Sequence, residues 1–262
     1  MNGKELSNGL GLSEITGNIL VNRGFTDPES AKKFLGLVPS VKLDPFTIHG
    51  IKEAVEKIKY HLENKNKITI YGDYDVDGIT GGSLYYEYLS NHSNNIHYYM
   101  PHRIEDGYGI NTISLEKIYQ DGTGLVLTVD NGITRYDVAD LANKLNLDLV
   151  ITDHHELGEK LPDCIVVNPK INNQIPYLAG VGVAFLVCSA IEKVMPTGKL
   201  GELLDLVALG TIADVVPLID INRTMVRMGL KTINNKKRIG LSELIKKNNI
   251  TTQIRPSDVG FK

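Results

Sequence analysis

Aspartate occupies alternate positions in one short segment of the chain, Gly72-Asp-Tyr-Asp-Val-Asp-Gly78. In an extended segment alternate side chains project to the same side, so Asp73, Asp75 and Asp77 would lie close together. Carboxylates this close repel one another, and a bound cation removes the repulsion. An EF-hand calcium loop is excluded, because its twelfth position requires glutamate and Leu84 stands there. We predict that these aspartates bind a metal, although any one of them alone is as typical of a helix cap or a turn.

Two histidines follow an aspartate at the end of the apolar segment LDLVIT, in the order Asp153-His154-His155. Neutral imidazole beside carboxylate oxygens suits divalent manganese, iron or zinc better than an all-oxygen magnesium cage. A lone histidine is more often a core or surface residue than a ligand, but an adjacent pair at the end of an apolar strand favours a metal site. The pattern therefore predicts metal binding here and does not rank the two histidines.

Two further aspartates interrupt strongly apolar segments. Asp130 ends GLVLTVDNG, where an unpaired carboxylate would be costly to bury, and its central place predicts a ligand that bridges two ions. The alternative is a cap for a helix that starts near Thr134. Asp214 lies in LVALGTIADVVPL beside Pro217, and the sequence alone favours a helix end there over a metal ligand.

Alternating helical and β-rich segments from Ile51 onward predict the elements that position these residues. Such alternation is typical of an α/β fold in which helices cover both faces of a parallel sheet, here one of five strands. Ligands of open α/β sheets bind beyond the carboxyl ends of the strands, so the clusters should converge at one rim. The predicted helices span 51–64, 79–91, 112–120 and 134–146, and the predicted strands span 67–72, 96–100, 124–130, 148–152 and 164–168.

Helical patterns dominate both ends of the chain. Two short helices, one capped by Ser13 and one beginning at Pro28, form a predicted N-terminal annex over residues 1–45. Residues 46–262 are predicted to form one catalytic domain, with strands up to about residue 168 and a helical region over 177–250. The helical segments of that region span 178–195, 199–212, 223–234 and 241–248.

Charge and composition exclude several classes of protein. Lysine and arginine total 28 against 31 aspartates and glutamates, and the net charge of −3 comes without a basic tail, so any nucleic-acid contact must be local. Arg103, Arg135 and Arg223 are candidate phosphate contacts, each with the alternative of a solvated surface residue. Lys236-Lys237-Arg238 is interpreted as a solvated helix end. With two cysteines, no signal-peptide pattern and no apolar segment long enough for a bilayer, we expect a cytoplasmic monomer without membrane contact.

Several motifs in a fixed order resemble those of one family. They are the Gly72–Gly78 segment, Val129-Asp-Asn-Gly132, Asp153-His-His155 and Ala208-Leu-Gly-Thr-Ile-Ala-Asp-Val-Val-Pro217. With them the chain resembles the DHH phosphoesterases, and among these the RecJ type, the single-strand-specific DNA exonucleases. The subtype rests on Pro101-His-Arg103 through Gly107-Tyr-Gly109, Leu178-Ala-Gly-Val-Gly-Val-Ala-Phe185, and Asn222-Arg223 leading to Gly229-Leu230.

The resemblance implies a two-metal site, usually filled by manganese with magnesium as an alternative. It implies hydrolysis of phosphodiester bonds from the 5′ end of single-stranded DNA, with release of 5′-mononucleotides. His155 would face the scissile phosphate, and Asp153 would support both histidines. One ion would be held by Asp77, Asp130, His154 and Asp214, and the second by Asp75 and the bridging Asp130 with help from Asp73.

Two departures from the family pattern bear on these expectations. Tyr71 stands four residues before Asp75, where the related manganese-dependent pyrophosphatases have a histidine ligand, which implies a weaker metal site. The chain also stops at Lys262, where the resemblance implies a second, substrate-gripping domain, so we expect the catalytic half only, with little processivity. Two alternatives stay open, a DHH hydrolase of small phosphoesters such as pyrophosphate, oligoribonucleotides or cyclic dinucleotides, and a non-catalytic RecJ-like replication scaffold.

Overall fold

The larger part of the chain is built on a sheet of five short strands, β1 Lys67–Tyr71, β2 Ile96–Tyr99, β3 Thr123–Thr128, β4 Asp148–Thr152 and β5 Ile165–Val167. The structure is a computed structural model that describes residues 2–37, 43–102, 107, 109–173, 175–235 and 238–261. All strand pairs are parallel and their order is β2-β1-β3-β4-β5, which confirms the predicted α/β class. The order reverses between β1 and β3, and such a switch point is where open α/β sheets bind ligands.

Helices lie before, between and after the strands along the chain. Two single turns of 3-10 helix, Pro45–Thr47 and Leu200–Leu203, lie between longer elements. The α-helices are α1 Gly3–Leu10, α2 Glu14–Asn22, α3 Pro28–Leu35, α4 Ile51–Glu63, α5 Val76–Leu89, α6 Thr112–Gln120, α7 Tyr136–Leu145, α8 Gly180–Val194, α9 Leu204–Ala213, α10 Asp220–Asn235, α11 Ile239–Lys247 and α12 Pro256–Phe261.

Side chains on both faces of the sheet are buried. On β3, Val126 packs into a cluster that includes Leu115 of α6 and Val138 of α7, while its neighbours Leu125 and Leu127 point to the opposite face and are also fully buried. Helices α4, α5 and α8 contact the strands as well. Because the strands are covered on both sides, their sequences are nearly continuous apolar runs. Each fully buried aliphatic side chain stabilises the fold by about 1.5–3 kcal/mol.

The first turn of α5 differs from its predicted position. The helix begins at Val76 rather than at residue 79, because the Asp75 side chain caps it by accepting a hydrogen bond from the Gly78 backbone N–H at 2.9 Å. Asp77 therefore lies within the helix and Asp75 at its cap. The prediction that Asp73, Asp75 and Asp77 line one side of an extended segment is wrong, because helical backbone turns successive side chains by about 100° instead of alternating them.

The chain divides into two compact units, Met1–Leu43 with Leu218–Thr224 and Asp44–Pro217 with Met225–Lys262. The first unit has three α-helices before residue 38 where two were predicted. The missed helix, α1, begins at a reciprocal cap in which the Asn2 side chain accepts from the Glu5 N–H and the Glu5 carboxylate accepts from the Asn2 N–H. Its two glycines lower intrinsic helix propensity, which hid the helix from the sequence pattern. The predicted domain boundary after residue 45 stays a prediction.

Arg238 pairs with two carboxylates of the second unit, one of them fully buried. Its Nε and Nη2 donate to both oxygens of Asp205, at 2.8 and 3.1 Å, and its Nη1 donates to Glu87 at 2.5 Å. Asp205 is fully buried at the start of α9. The interpretation of Arg238 as part of a solvated helix end is therefore wrong, since a buried carboxylate requires a charged partner. Lys236 and Lys237 lie outside the described residues.

In the ranges that the structure describes, no helix combines the length and the apolar character needed to cross a membrane.

We expect Arg238→Gln to lower the free energy of unfolding by about 3 kcal/mol, because it leaves Asp205 buried without its cation. Urea denaturation of the metal-free chain measures the loss. The matched control is Lys246→Gln, which removes a lysine from an exposed pair with Glu243 and should change stability by less than about 0.5 kcal/mol. Equal effects of the two substitutions would show that the Arg238 pair is energetically a surface pair.

Candidate metal centre

Carboxylates and imidazoles converge beyond the carboxyl ends of β1, β3 and β4, as the strand pattern predicts. Three groups of potential ligand atoms lie there, with the atoms of each group within 4.8 Å of one another. Asp130 belongs to two of the groups and His154 also to two. The groups are Asp73 with Asp75 and Asp130, Asp77 with His154 and Asp214, and Asp130 with His154 and His155.

Asp77 is held by the N-terminus of α8. Its Oδ2 accepts from the Gly180 backbone N–H at 2.5 Å and its Oδ1 accepts from the Val181 N–H at 2.8 Å. The residue before α8, Ala179, has no side chain able to cap the helix. A carboxylate from α5 therefore satisfies the free N–H groups of α8, and the positive end of the helix dipole favours its charge.

Asp130 stands in the left-handed backbone region, with φ of 65°, immediately after β3. Aspartate and asparagine adopt this conformation more readily than other side chains with a Cβ. Asn131 holds the turn, because its Nδ2 donates to the Val129 carbonyl at 2.9 Å and its Oδ1 accepts from the Ile110 N–H at 3.2 Å. The turn directs the buried Asp130 carboxylate into the cluster, where its Oδ1 has no hydrogen-bond partner among the described residues.

His154 is the imidazole at the centre of the cluster. Its Nε2 lies 3.1 Å from Asp130 Oδ1 and 3.8 Å from both Asp77 Oδ2 and Asp214 Oδ2. Asp214 follows the last residue of α9, and its buried Oδ2 also has no hydrogen-bond partner in the described part of the chain. The next residue, Val215, has φ of 61°, a conformation that costs a β-branched residue free energy.

Asp153 accepts hydrogen bonds from both histidines. Its Oδ1 accepts from the backbone N–H groups of His154 and His155, at 2.7 and 3.1 Å, and bonds His155 Nδ1 at 2.8 Å. Its Oδ2 accepts from the Ile133 N–H at 3.0 Å. With its oxygens engaged in this way, Asp153 positions the His155 imidazole and does not belong to any of the three ligand groups.

The pKa values of the carboxyls in and beside the cluster shift in different directions. Burial, reinforced by neighbouring carboxylates, raises the pKa of Asp77 to about 8 and the pKa of Asp130 to about 9. Burial also raises the pKa of Asp214. Burial acts in the same direction on Asp153, but the hydrogen bonds from His155 and the backbone outweigh it and lower the pKa of that carboxyl. The hydrogen bond to Asp153 raises the pKa of His155 to about 9.

The donor set fits a divalent cation. Asp130 and Asp214 each present a buried oxygen with no hydrogen-bond partner among the described residues, and burying such oxygens without a cation is costly. Carboxylate oxygens combined with an imidazole nitrogen suit manganese, iron or zinc better than magnesium. Tyr71, where the resemblance implies a histidine ligand in some relatives, is fully buried, and its hydroxyl donates to the Gly109 carbonyl at 3.1 Å.

The three predicted phosphate-binding arginines have different surroundings. Arg135 donates to both oxygens of Asp137, at 3.0 and 2.8 Å, and to the Ile110 carbonyl, and it shares with His155 a recess of about 190 Å³. Arg223 lies in the first unit, with its guanidinium 3.9 Å from the centre of the Phe34 ring. Arg103 lies outside the described residues. Phosphate contact by these residues stays a prediction.

Two glycines that the sequence pattern did not single out as site residues allow the cluster to form. A Cβ at Gly180 would lie 2.7 Å from Asp130 Cβ, and a Cβ at Gly210 would lie 2.9 Å from Asp77 Oδ1 and 2.3 Å from Thr80 Oγ1. Both positions are thus restricted to glycine by the close approach of α8 and α9 to the ligands. The clue in the sequence was glycine inside apolar helical segments, where it costs about 1 kcal/mol relative to alanine and so indicates close packing.

Comparison with known proteins identifies the family of this chain. Residues 67–211 match the DHH family, N-terminal domain. The chain belongs to the DHH family. Its relatives include the single-stranded-DNA-specific exonuclease RecJ of Bacillus subtilis, to which it is 42% identical over 247 residues, 93% of this chain and 31% of that protein. The predicted resemblance to RecJ-type members of the DHH family is therefore confirmed.

Solved RecJ structures share the fold. A structure of exonuclease RecJ bound to manganese matches with a TM-score of 0.77 and 32% identity, over 84% of this chain and 57% of that one. RecJ of Thermus thermophilus in complex with Mn²⁺ matches with a TM-score of 0.83 and 27% identity, over 99% of this chain and 37% of that one. The DHH chain described here spans less than half the length of the curated relatives that it matches. Together with the ligand groups, these structures support divalent-metal binding.

We expect Gly180→Ala to weaken manganese binding by at least tenfold, because the added methyl group would displace the Asp130 carboxylate or the end of α8. Calorimetric titration with manganese measures the change. Gly182→Ala is the matched control on the same helix, since its Cβ would meet only the flexible Leu178 side chain at 3.1 Å and the next atom at 3.7 Å. Equal affinities of the two variants would contradict the role of Gly180.

Manganese binding at pH 7 should release protons. With pKa values raised to about 8 and 9 in the metal-free chain, at least one of Asp77 and Asp130 is protonated at pH 7, and a bound cation requires both to ionise. Calorimetry in buffers of different ionisation enthalpy measures the number released. A binding enthalpy that does not depend on the buffer would contradict the prediction.

The same shifts fix how the stability of the metal-free chain depends on pH. In the unfolded chain Asp77 and Asp130 lose their protons near pH 4, whereas in the folded, metal-free chain they keep them up to about pH 8 and 9. The stability that these two groups contribute is therefore complete below about pH 4 and is lost as the pH rises through 8 to 9. Stability should therefore fall between pH 5 and 9, and less steeply in Asp130→Asn, because asparagine keeps the left-handed turn and carries no titrating group.

Proposed function

We propose that this chain carries the catalytic centre of a metal-dependent exonuclease that hydrolyses single-stranded DNA from the 5′ end and releases 5′-mononucleotides. The observation that carries the proposal is the meeting of Asp77, Asp130, His154 and Asp214 around buried oxygens that lack hydrogen-bond partners among the described residues. The RecJ relatives support the choice of substrate, since their names describe exonucleases specific for single-stranded DNA. We infer further that the chain acts as a monomer in the cytoplasm.

Two manganese ions fit the ligand groups, with magnesium as the alternative. One ion would be held by His154 with three carboxylates, and the other by the group at the end of β1, with Asp130 shared between them. The group of Asp73, Asp75 and Asp130 supports the second ion. For the first ion, the 3.1 Å between His154 Nε2 and Asp130 Oδ1 joins Asp130 to the group of Asp77, His154 and Asp214. The ligands would be Asp77, Asp130, His154 and Asp214 for the first ion and Asp73, Asp75 and Asp130 for the second.

The bound ions would supply a hydroxide nucleophile at neutral pH and stabilise negative charge on the phosphate. The residues of the chain have the remaining roles. Asp153 orients the His155 imidazole through its bond to Nδ1 and accepts from the backbone N–H groups of His154 and His155. The His155 side chain is 46% exposed at the edge of the cluster, and its raised pKa keeps a positive charge where a substrate phosphate would approach.

The two histidines should respond differently to substitution. His154→Ala removes the nitrogen nearest to three carboxylates, so we expect a loss of bound manganese as well as of activity. His155→Ala should retain manganese and lower turnover by about a hundredfold or more. Metal content by mass spectrometry and hydrolysis of a 5′-labelled single strand in manganese measure the two effects.

Matched reactions test the function itself. His97→Ala is the control, because His97 lies exposed on β2 and contacts only Asn95 in the described hydrogen bonds. Strands labelled at the 3′ end report polarity, and pyrophosphate and a cyclic dinucleotide test the small-phosphoester alternative. Faster hydrolysis of either small molecule than of DNA would contradict the proposed substrate, and loss of metal from His155→Ala alone would reverse the histidine roles.

A further inference from the structure

Lys170 lies at the rim of the metal centre and has no assigned role. It follows β5 by three residues, at the same edge of the sheet as the ligand groups. Its side chain is 21% exposed, and its Nζ donates to Glu156 Oε1 at 2.7 Å. Glu156 is the residue after His155, whose imidazole we place near the scissile phosphate.

Buried hydrogen bonds tie the position of Lys170 to that of His155. Asn168 is fully buried, its Oδ1 accepts from the Lys170 N–H at 2.9 Å, and its Nδ2 donates to the His155 carbonyl at 3.0 Å. One asparagine side chain thus joins the backbones of the two residues. Such a short, fully buried link keeps a side chain in register with the site more precisely than an unsupported loop does.

The position of Lys170 follows from these contacts. Its backbone is joined to that of His155 through Asn168, and it lies beyond β5 at the sheet edge where the ligand groups lie. A cation at this edge attracts an anionic substrate toward the metal ligands.

The present partner of Lys170 is easily exchanged. The Glu156 side chain is 88% exposed, and ion pairs with so exposed a carboxylate contribute little to stability. A phosphate oxygen offers lysine a stronger charge-assisted hydrogen bond in a less hydrated place. Arg135 is less easily released than Lys170, because its guanidinium already binds two carboxylate oxygens and a carbonyl.

We propose that Lys170 binds a phosphate of single-stranded DNA beside the metal centre and exchanges Glu156 for a phosphate oxygen when substrate enters. The inference rests on the proposed function and adds a substrate contact to it. Glu156 then holds the lysine in place between substrates and competes with DNA for it.

Three substitutions in the full chain test this contact. Lys170→Gln should raise KM for a short single strand about tenfold, the value expected for one charge-assisted hydrogen bond, and reduce the slope of log affinity against log salt concentration by about 0.7. Lys170→Arg should recover most of the loss. Glu156→Gln should leave KM unchanged or lower it, because it removes the competing carboxylate.

Lys193→Gln is the matched control. It breaks a lysine–carboxylate pair of the same length, with Asp44 at 2.7 Å, in the last turn of α8, whereas the metal ligands contact the first turn of that helix. It should leave KM and the salt slope unchanged. Manganese titration of every variant should match the original chain, since none of these residues belongs to a ligand group.

The outcomes separate the two proposals. If the original chain neither binds nor cleaves DNA in manganese, the proposed function fails and this inference fails with it. If it cleaves DNA and Lys170→Gln behaves like Lys193→Gln, only the inference is overturned. Equal losses in Lys170→Gln and Glu156→Gln would show that the pair is a structural link between loops and would also overturn the phosphate contact.

Discussion

The hydrogen bonds from the first N–H groups of α8 to the Asp77 carboxylate are the interaction on which the site depends. They join α5, which follows β1, to a helix that begins more than a hundred residues later in the chain. Because the two helices meet at a carboxylate, α8 must approach the rim closely, and Gly180 and Gly210 leave the room for that approach. Asp214, at the end of α9, lies 3.8 Å from His154 Nε2 at the same rim.

The cluster costs the metal-free protein stability. Asp77 and Asp130 are buried close together, and their raised pKa values measure how strongly their joint ionisation is opposed. Val215 adds backbone strain of about 1–3 kcal/mol beside Asp214. The sheet, buried on both faces, offsets these costs, since a few aliphatic side chains of its core contribute a comparable free energy. Stability given up at a functional site and supplied by the surrounding core is the common pattern in enzymes.

The sheet was predictable because its signal is local. Each strand is a short apolar run followed by polar residues, and buried parallel strands require that pattern. The start of α5 was not predictable in this way, because Gly78 and three aspartates indicate a loop unless the capping bond of Asp75 is known. Arg238 shows the same limit, since its partners Asp205 and Glu87 are remote in sequence. The convergence of the aspartates and histidines followed from topology alone, whereas the distances that divide them into groups depend on helix packing.

Strand register explains why Asp130 is the carboxylate shared between two groups. Tyr71 pairs with Thr128 and Leu127 pairs with Val150, so equal steps along the strands bring Asp73, Asp130 and Asp153 to the same level beyond the sheet. The ladder continues into this region, because the Val129 N–H donates to the Tyr71 carbonyl and the Asp130 N–H to the Thr152 carbonyl, both at 3.0 Å. Asp130 follows the middle strand of the three and therefore has a neighbour on each side. Its left-handed backbone turns the carboxylate into the cluster instead of along the strand. A central strand that ends in such a turn gives one residue access to both sides, which is the geometric requirement for a bridging ligand.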